Sequence, residues 1–538
     1  KDIYLKSDFT DNQLIKGNYT SVVILSVVAF LLLVIACINF INLSTSRVLK
    51  RVRSTGLKKV LGADRIILIE QFLIESTLFF SISFCIAIAI YNISFSRIEQ
   101  LFGKEFTLSF TSNFHWFILI TAFTFVVSLI TGIYPAIVLS RPKPSSLINM
   151  NYGSQRGTEF FKKILVSGQF VITIFLIIST IGIYQQIKYI NKKDLGYEKS
   201  NLVRLNDHFL SPKKITFKKT ISGINGVQSV SMAASDNSKI LSSNGTMTMN
   251  DPFHPEKNIE IDYLLTDPDF LSTFKLKLIK GKDLKDFMAT SPVSKAIYKE
   301  KKYNTISGYA NNQPILITRF TAKRLGIEEL NKPYKSLDGI PVGIVENFHT
   351  ESLRKPIKPE VIQTDPHLQE GNLFIRLQKE NQAATLKVIA QKFEEFFPNQ
   401  PFDYSYVEDL LEKEYRSESK LLIILLSLSI LIIFLSSLGL FGLLTYSIQT
   451  RTKEISIRKV LGASSQQIWL AISSGSFKLL FIAILVAVPL SWYALNEWLS
   501  NYPYRIEIST YLFLTGISIA MLIAIGTTSI KIHSISNN

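Results

Sequence analysis

The chain has 538 residues, 47% hydrophobic and 19% charged, with a net charge of +17. It exceeds one ordinary domain in length, so two or more units are expected. So much apolar residue beside so much charge excludes a uniformly soluble globule and calls for separate apolar and polar blocks.

In chain order, residues 21–41 (SVVILSVVAFLLLVIACINFI) form a charge-free run long enough to cross a bilayer, which takes about 20 residues. A basic loop follows, with Arg47, Lys50, Arg51, Arg53, Lys58, Lys59 and Arg65. The second run, 66–90, carries Glu70 and Glu75, and the third, 114–139, has only His115 as an ionisable group. A second basic loop holds Arg141, Lys143, Arg156, Lys162 and Lys163 before the fourth run, 164–183. A long polar block fills 190–418. Runs at 421–448, 468–495 (with Lys478) and 511–530 close the chain, and the loop after the fifth holds Arg451, Lys453, Arg458 and Lys459.

Seven spans result, and lysine and arginine crowd alternate connections, whereas 91–113 and 500–509 are poor in them. Positive charge resists translocation, so the rich loops are expected in the cytoplasm. The charge is topological and does not point to nucleic acid. This orientation puts 190–418 and residues 1–20 outside, and an external start without a signal peptide implies an upstream span and external domain beyond this sequence. Cys37 and Cys85 fall within spans and build neither a disulfide framework nor a metal site.

The external block reads as mixed α/β. The segments 226–235, 259–266, 339–348 and 372–377 have the length and β-branched character of strands. Leu386, Ile389, Ala390, Phe393 and Phe397 recur at helical spacing over 382–397, and Pro398 stops that helix. The Ser-, Asn- and Pro-rich stretch 236–258 reads as a loop.

The string K-V-L-G-A occurs twice, at 59–63 and 459–463, each time between two apolar runs. At the same 400-residue offset Arg51 matches Arg451, Arg53 matches Lys453, Leu57 matches Ile457 and Lys58 matches Arg458. Such self-similarity indicates a duplicated three-span unit. Each copy reads as a short amphipathic helix at the cytoplasmic surface. In the second, Ile457, Val460 and Leu461 share one side while Arg451, Glu454 and Arg458 take the other. Glu454 precedes Arg458 by four, the favourable order for an ion pair worth about 0.3–0.5 kcal/mol. Gly462 is placed to stop this helix and Ser464 to cap the next. Anchoring in the headgroups explains basic residues but does not require this string twice, whereas docking of a cytoplasmic partner does.

The segment R-x-K-E-I-x-I-R-K-V-L-G-A (451–463) resembles the signature of FtsX/MacB-type ABC transporter permeases. ACINFINLSTSR (36–47), LIEQFLIES (68–76), YPAIVLSRPKP (134–144), GIVENFHTESL (343–353) and LGLFGLLTYSIQTRTKEI (438–455) are similar to the large two-repeat members. The resemblance implies an α-helical integral membrane protein with a mixed α/β extracytoplasmic domain in the bacterial inner (plasma) membrane. It divides the chain into the end of an earlier external domain (1–20), a first three-span repeat (21–140, coupling segment 47–65) and a cytoplasmic linker (141–163). A single span (164–187), a MacB-like periplasmic core domain (190–418) and a second repeat (420–531, coupling segment 449–466) follow. The implied function is that of a permease subunit, which passes the work of a separate cytoplasmic ABC ATPase dimer outward by mechanotransmission. Export, efflux and the handling of lipoproteins or other envelope partners all occur in the family. The coupling contacts it implies are Arg51, Lys58, Lys59 and Gly62 in one copy, and Arg451, Glu454, Arg458, Lys459 and Gly462 in the other. The first copy departs from the pattern, with Ser54-Thr55-Gly56 where the second has Glu454-Ile455-Ser456, so the two contacts are expected to be unequal.

His115 aside, Glu70, Glu75 and Lys478 are the residues inside spans that carry charge, which is costly there and often functional. The two glutamates lie close enough to the cytoplasmic end to reach interfacial lysine or arginine. Gly439 and Gly442 read as sites of close span packing. The six histidines form no metal spacing, and neither a GxxxxGK[ST] phosphate loop nor a GxSxG elbow occurs. No cofactor and no catalysis are expected of this chain. A signalling receptor sensing an envelope ligand through 190–418 is the alternative. An ion-coupled transporter would want more ionisable groups at mid-membrane than are present.

Overall fold

The computed structural model describes residues 19–46, 57–59, 61–102, 114–140, 156–206, 213–234, 240–241, 245–290, 313–334, 337, 339–350, 352–365, 368 and 371–536. Four long helices come first: α1 (Tyr19–Ser46), α2 (Arg65–Phe102), α3 (Phe114–Ser140) and α4 (Arg156–Lys192). The external block contains β1 (Leu202–Leu205), α5 (Lys213–Ile221), β2 (Val227–Ala233), β3 (Gly245–Asn250), β4 (Asn258–Thr266), α6 (Phe270–Phe274), β5 (Leu278–Gly281) and α7 (Leu284–Thr290). It continues through β6 (Pro314–Thr318), α8 (Arg319–Leu325), β7 (Ile340–Val345), β8 (Glu360–Thr364), β9 (Asn372–Leu377), α9 (Gln382–Phe396), β10 (Tyr404–Tyr406) and α10 (Val407–Glu414). The chain then re-enters the membrane part through α11 (Arg416–Thr450), α12 (Thr452–Val460), α13 (Ser465–Ser500) and α14 (Thr510–Ser536).

Seven of these helices are long and apolar enough to cross a membrane: α1 to α4, α11, α13 and α14. Their outward faces are apolar, as a lipid-facing surface requires: Phe30, Ile93, Phe434, Phe481 and Leu522 are all exposed. The chain is an α-helical integral membrane protein. Helices α2 and α3 pack along each other, and α1 packs on α11. Helix α4 lies against α11, α13 and α14, so the fourth span completes the second repeat. Ile174, Ile178, Leu440, Leu480, Ala483 and Leu512 are buried in one cluster there.

The external strands make a single mixed sheet in the order β10-β1-β9-β2-β4-β8-β6-β7-β5, with β3 paired to β4 off that path. Pairs β4/β8 and β6/β7 are parallel and the others antiparallel. Strands β6, β8 and β9 are buried along their whole length, the pattern of a sheet covered on both faces. Helices α5 and α9 cover one face through Phe217, Ile221, Leu386, Ile389 and Phe393. Phe270, Phe274 and Phe348 cover the other.

The stretch 236–258 is not all loop. Residues 245–250 pair with β4 over six register positions. Met247 and Met249 alternate inward with Thr246 and Thr248 outward, a period-2 pattern masked by the turn-forming residues around it.

The external domain and the membrane helices are joined side chain to side chain. Helix α4 has 37 residues and α11 has 35, each about 50–55 Å long, so both outreach a hydrocarbon core of about 30 Å. Tyr415, buried between α10 and α11, accepts from Leu353 N at 2.8 Å and Ser352 Oγ at 3.2 Å. Arg354 pairs with Glu418 at the top of α11. Gln186 of α4 donates to Tyr504 O at 2.8 Å and accepts from Ile506 N at 2.9 Å, pinning the loop between α13 and α14. Tyr504 then meets the domain, with Ile357 N donating to its hydroxyl at 3.3 Å and the His349 ring edge-on at 5.1 Å.

Candidate functional site

The two basic segments fold into the same turn. In the first, Leu61 N donates to Leu57 O at 3.0 Å, Gly62 N to Lys59 O at 3.1 Å and Ala63 N to Lys58 O at 2.9 Å. In the second, Leu461 N donates to Ile457 O at 3.0 Å, Gly462 N to Lys459 O at 3.1 Å and Ala463 N to Arg458 O at 2.9 Å. The latter two bonds of each set are the crossed pair that closes a helix over a left-handed residue. Gly62 has φ +92° and Gly462 φ +85°, a region that side chains with a Cβ adopt only at a cost. Among the described residues, no atom stands within 4 Å of a Cβ built on either glycine, so backbone conformation demands glycine there.

After each turn the chain starts a span at once. Ser464 Oγ accepts from Gln467 N at 3.3 Å, and Gln467 Oε1 accepts from Ser464 N at 3.0 Å, a reciprocal cap for α13. The turn is thereby fixed rigidly to the span behind it.

The turns expose both charge and apolar surface. Val460 is 87% and Leu461 80% exposed, and Leu61 is 79% exposed at the equivalent place. Ile457 and Leu57 are exposed beside them, while Ile455 points back into the membrane bundle. Around this apolar tip stand Lys58, Arg451, Arg458 and Lys459, all exposed. Lys59 is half-buried, and burial, with the nearby Arg65 charge, holds its ammonium below the usual lysine range. Arg458 Nη2 lies 2.6 Å from Glu454 Oε1, the i, i+4 pair expected from spacing. The first copy braces itself differently, with Lys58 Nζ donating to Gln71 Oε1 at 2.9 Å on α2. That contact joins turn to span and carries no negative charge.

The structure thus brings Lys58, Lys59 and Gly62 together on one turn, and Arg451, Glu454, Arg458, Lys459 and Gly462 on the other. Arg51 lies outside the described residues, as do Ser54, Thr55 and Gly56. Glu70 and Lys478 are exposed on α2 and α13, whereas Glu75 is half-buried and interacts with other groups of the chain. No group of three or more His, Cys, Asp or Glu residues suited to a metal occurs among the described residues. The joint formed by Gln186, Tyr415 and Tyr504 was invisible to sequence reasoning. Its members are 62 to 320 residues from their partners and belong to no local pattern.

The sequence model of the family described as FtsX-like permease C-terminal matches residues 26–144 and 426–537. No relative among curated proteins matches. Among solved structures, the chain is similar to the periplasmic region of MacB from Actinobacillus actinomycetemcomitans. The identity is 12%, over 43% of this chain and 97% of that one, with a TM-score of 0.26. It is also similar to the extracellular domain of the noncanonic ABC-type transporter YknZ from Gram-positive bacteria. There the identity is 14%, over 38% of this chain and 98% of that one, with a TM-score of 0.24.

Proposed function

We propose that this chain, whose two membrane units are FtsX-like permease segments, is the transmembrane subunit of an ABC transporter complex in the bacterial inner membrane. A separate cytoplasmic ATPase dimer docks on the turns at 57–63 and 457–463 and supplies the hydrolysis, for which this chain carries no phosphate loop. One observation carries the reading: two turns with the same three hydrogen bonds, the same left-handed glycine and the same exposed apolar tip. An ATPase dimer offers two equivalent clefts, and one chain with two matching turns fills both.

Each turn is fixed to a span. Helices α4 and α11 run from the membrane into the external domain, and Tyr415, Gln186 and Tyr504 lock that junction. Closure of the ATPases therefore has a continuous path of packed and hydrogen-bonded elements outward. The external domain is the part that meets the substrate or envelope partner, in export, efflux or lipoprotein handling.

The test is co-purification of the full-length protein from its native membrane, with partners identified by mass spectrometry. Glu454→Lys with Arg458→Glu, and Lys58→Glu with Lys59→Glu, are compared with the wild type. A Walker-motif ATPase that accompanies the wild type and is lost from both variants supports the reading. A preparation free of ATPase whose external domain retains a ligand replaces it with a membrane receptor.

A further inference from the structure

Three helices meet at a buried polar contact inside the membrane part. Asn39 of α1 donates through Nδ2 to Leu435 O of α11 at 2.7 Å, and Gln169 of α4 donates through Nε2 to the same carbonyl at 3.0 Å. Asn39 is 5% and Gln169 1% exposed. A carbonyl only accepts, so the amide orientations are settled and both side-chain oxygens turn the other way, towards Gly439. A Cβ added to Gly439 would stand 2.2 Å from Gln169 Oε1 and 2.6 Å from Asn39 Oδ1. Among the described residues, neither oxygen has a hydrogen-bond donor.

Asn39 and Gly439 are equivalent positions of the duplication, because the 400-residue offset that relates the two turns also relates them. The offset holds through this span, with Leu43 matching Leu443 and Thr45 matching Thr445. A residue that touches its own equivalent marks a two-fold axis between like units. Helices α1 and α11 therefore cross on the pseudo-two-fold axis of the two repeats. One turn further on, Leu43 lies 3.3 Å from a Cβ built on Gly442, the equivalent of buried Asn42. On the axis the first repeat presents amides and the second presents glycines.

We propose that Asn39 and Gly439 act as knob and socket, so that the first repeat pairs with the second and not with another copy of itself. Two first-type units would oppose Asn39 to Asn39, with no glycine to receive either side chain. Two second-type units would oppose Gly439 to Gly439 and leave an empty slot, with Gln169 as the remaining amide donor for the Leu435 carbonyl. A buried polar residue at one position of a helix pair selects the partner in this way at a cost in stability, here the two unpaired oxygens. Gln169, from the span that completes the second repeat, seals the same socket and adds to the asymmetry.

The test is a reciprocal exchange in the full-length, detergent-solubilised chain, read by thermal unfolding and mass photometry. A Gln169→Ala background removes the second amide and isolates the pair. Within it, Gly439→Asn is expected to lower the unfolding midpoint by at least about 3 °C and, because unlike repeats no longer fit better than like ones, to raise the fraction of dimer. Asn39→Gly lowers the midpoint as well. Asn39→Gly with Gly439→Asn, which moves the knob to the other repeat, recovers most of the midpoint and the monomer. A double variant as unstable as the two losses added together overturns the proposal, as does Gly439→Asn alone matching its background. Should Gly439→Asn fail to fold, Gly439→Ala takes its place. It must destabilise the wild-type chain more than it does an Asn39→Ala/Gln169→Ala chain, and equal losses refute the knob and socket.

Discussion

Replacing the left-handed glycine of a turn isolates the shape of that turn from its charge. Gly462 has φ +85° and open space around it, so Gly462→Ala meets no clash and its penalty is purely conformational. An L-residue held in the left-handed region costs about 1–2 kcal/mol. If the ATPase binds the closed turn, that cost returns as a loss of affinity of about 5–30-fold, since 1.4 kcal/mol is tenfold. Gly62→Ala, at φ +92°, carries the same expectation for the first copy. The series Gly462→Asn, Gly462→Ala and Gly462→Val should weaken binding in that order, because asparagine tolerates the region best and a β-branched residue worst. Gly475→Ala serves as control: it lies within α13, has nothing within 4 Å and gains up to about 1 kcal/mol of helix propensity. The assay is titration of purified ATPase onto the full chain in nanodiscs, with the unfolding midpoint followed in parallel. The turn is exposed and remote from the buried clusters, so the midpoint should stay put while affinity falls. Wild-type affinity in Gly462→Val, or an affinity loss that merely tracks the midpoint, would refute the idea that the partner reads this backbone shape.

Three further outcomes follow from the external domain. Arg376 is 2% exposed and donates to Thr273 O at 2.5 Å, Ser200 O at 2.8 Å and Glu198 O at 2.5 Å. Arg376→Met leaves three carbonyls short of a donor and should cost at least about 2–3 kcal/mol in a denaturant titration. Tyr415→Phe removes the acceptor for Leu353 N and Ser352 Oγ, about 1–2 kcal/mol, and should speed amide exchange at 352–355 without unfolding the sheet. His349 is held below the usual imidazole value chiefly by burial and then by the Lys193 charge, against the pull of Asp194. The unfolded chain therefore takes the proton first. The contribution of a neutral His349, packed edge-on against Tyr504, is complete above about pH 6.5 and is lost as pH falls through the folded value. His349→Gln should flatten that part of the stability profile, and an unchanged slope would place the acid sensitivity elsewhere.

Much of this was legible in local pattern. Charge-free runs gave the spans, alternating basic loops gave the expected orientation, and the recurrence of K-V-L-G-A marked two equivalent turns. The Gly462 stop, the Ser464 cap and the Glu454–Arg458 pair all depend on residues within four of each other, and all three stand in the structure. What escaped depends on distance in sequence. β3 hides among turn-forming residues because its strand character exists only against β4. Gln186 looks like an ordinary polar residue at a span end until the loop of Tyr504, 318 positions away, folds over it. Asn39 and Gly439 gain meaning only when the duplication is laid over the contact.

The duplication has not treated all parts of the unit alike, and the differences sort by what each part touches. At the turns, where the proposed partner is a symmetric dimer, the backbone bonds agree within 0.1 Å and the glycine is retained in both copies. Behind the turn the copies already differ, one braced by the Glu454–Arg458 ion pair and the other by the Lys58–Gln71 bond, which has no carboxylate. On the axis they are opposites, amide against glycine. Beyond the membrane, α4 and α11 feed one sheet. In the proposed complex, a symmetric input matched to an asymmetric interior is what a single chain needs to take one stroke from two identical motors and deliver it to one external domain. If the interior asymmetry served packing alone, the reciprocal Asn39 and Gly439 exchange would leave ATPase-driven movement of the external domain intact. A distance label between 253 in the external domain and 530 on α14, read with and without ATP, would show whether moving the knob to the other repeat leaves that movement unchanged or reduces it.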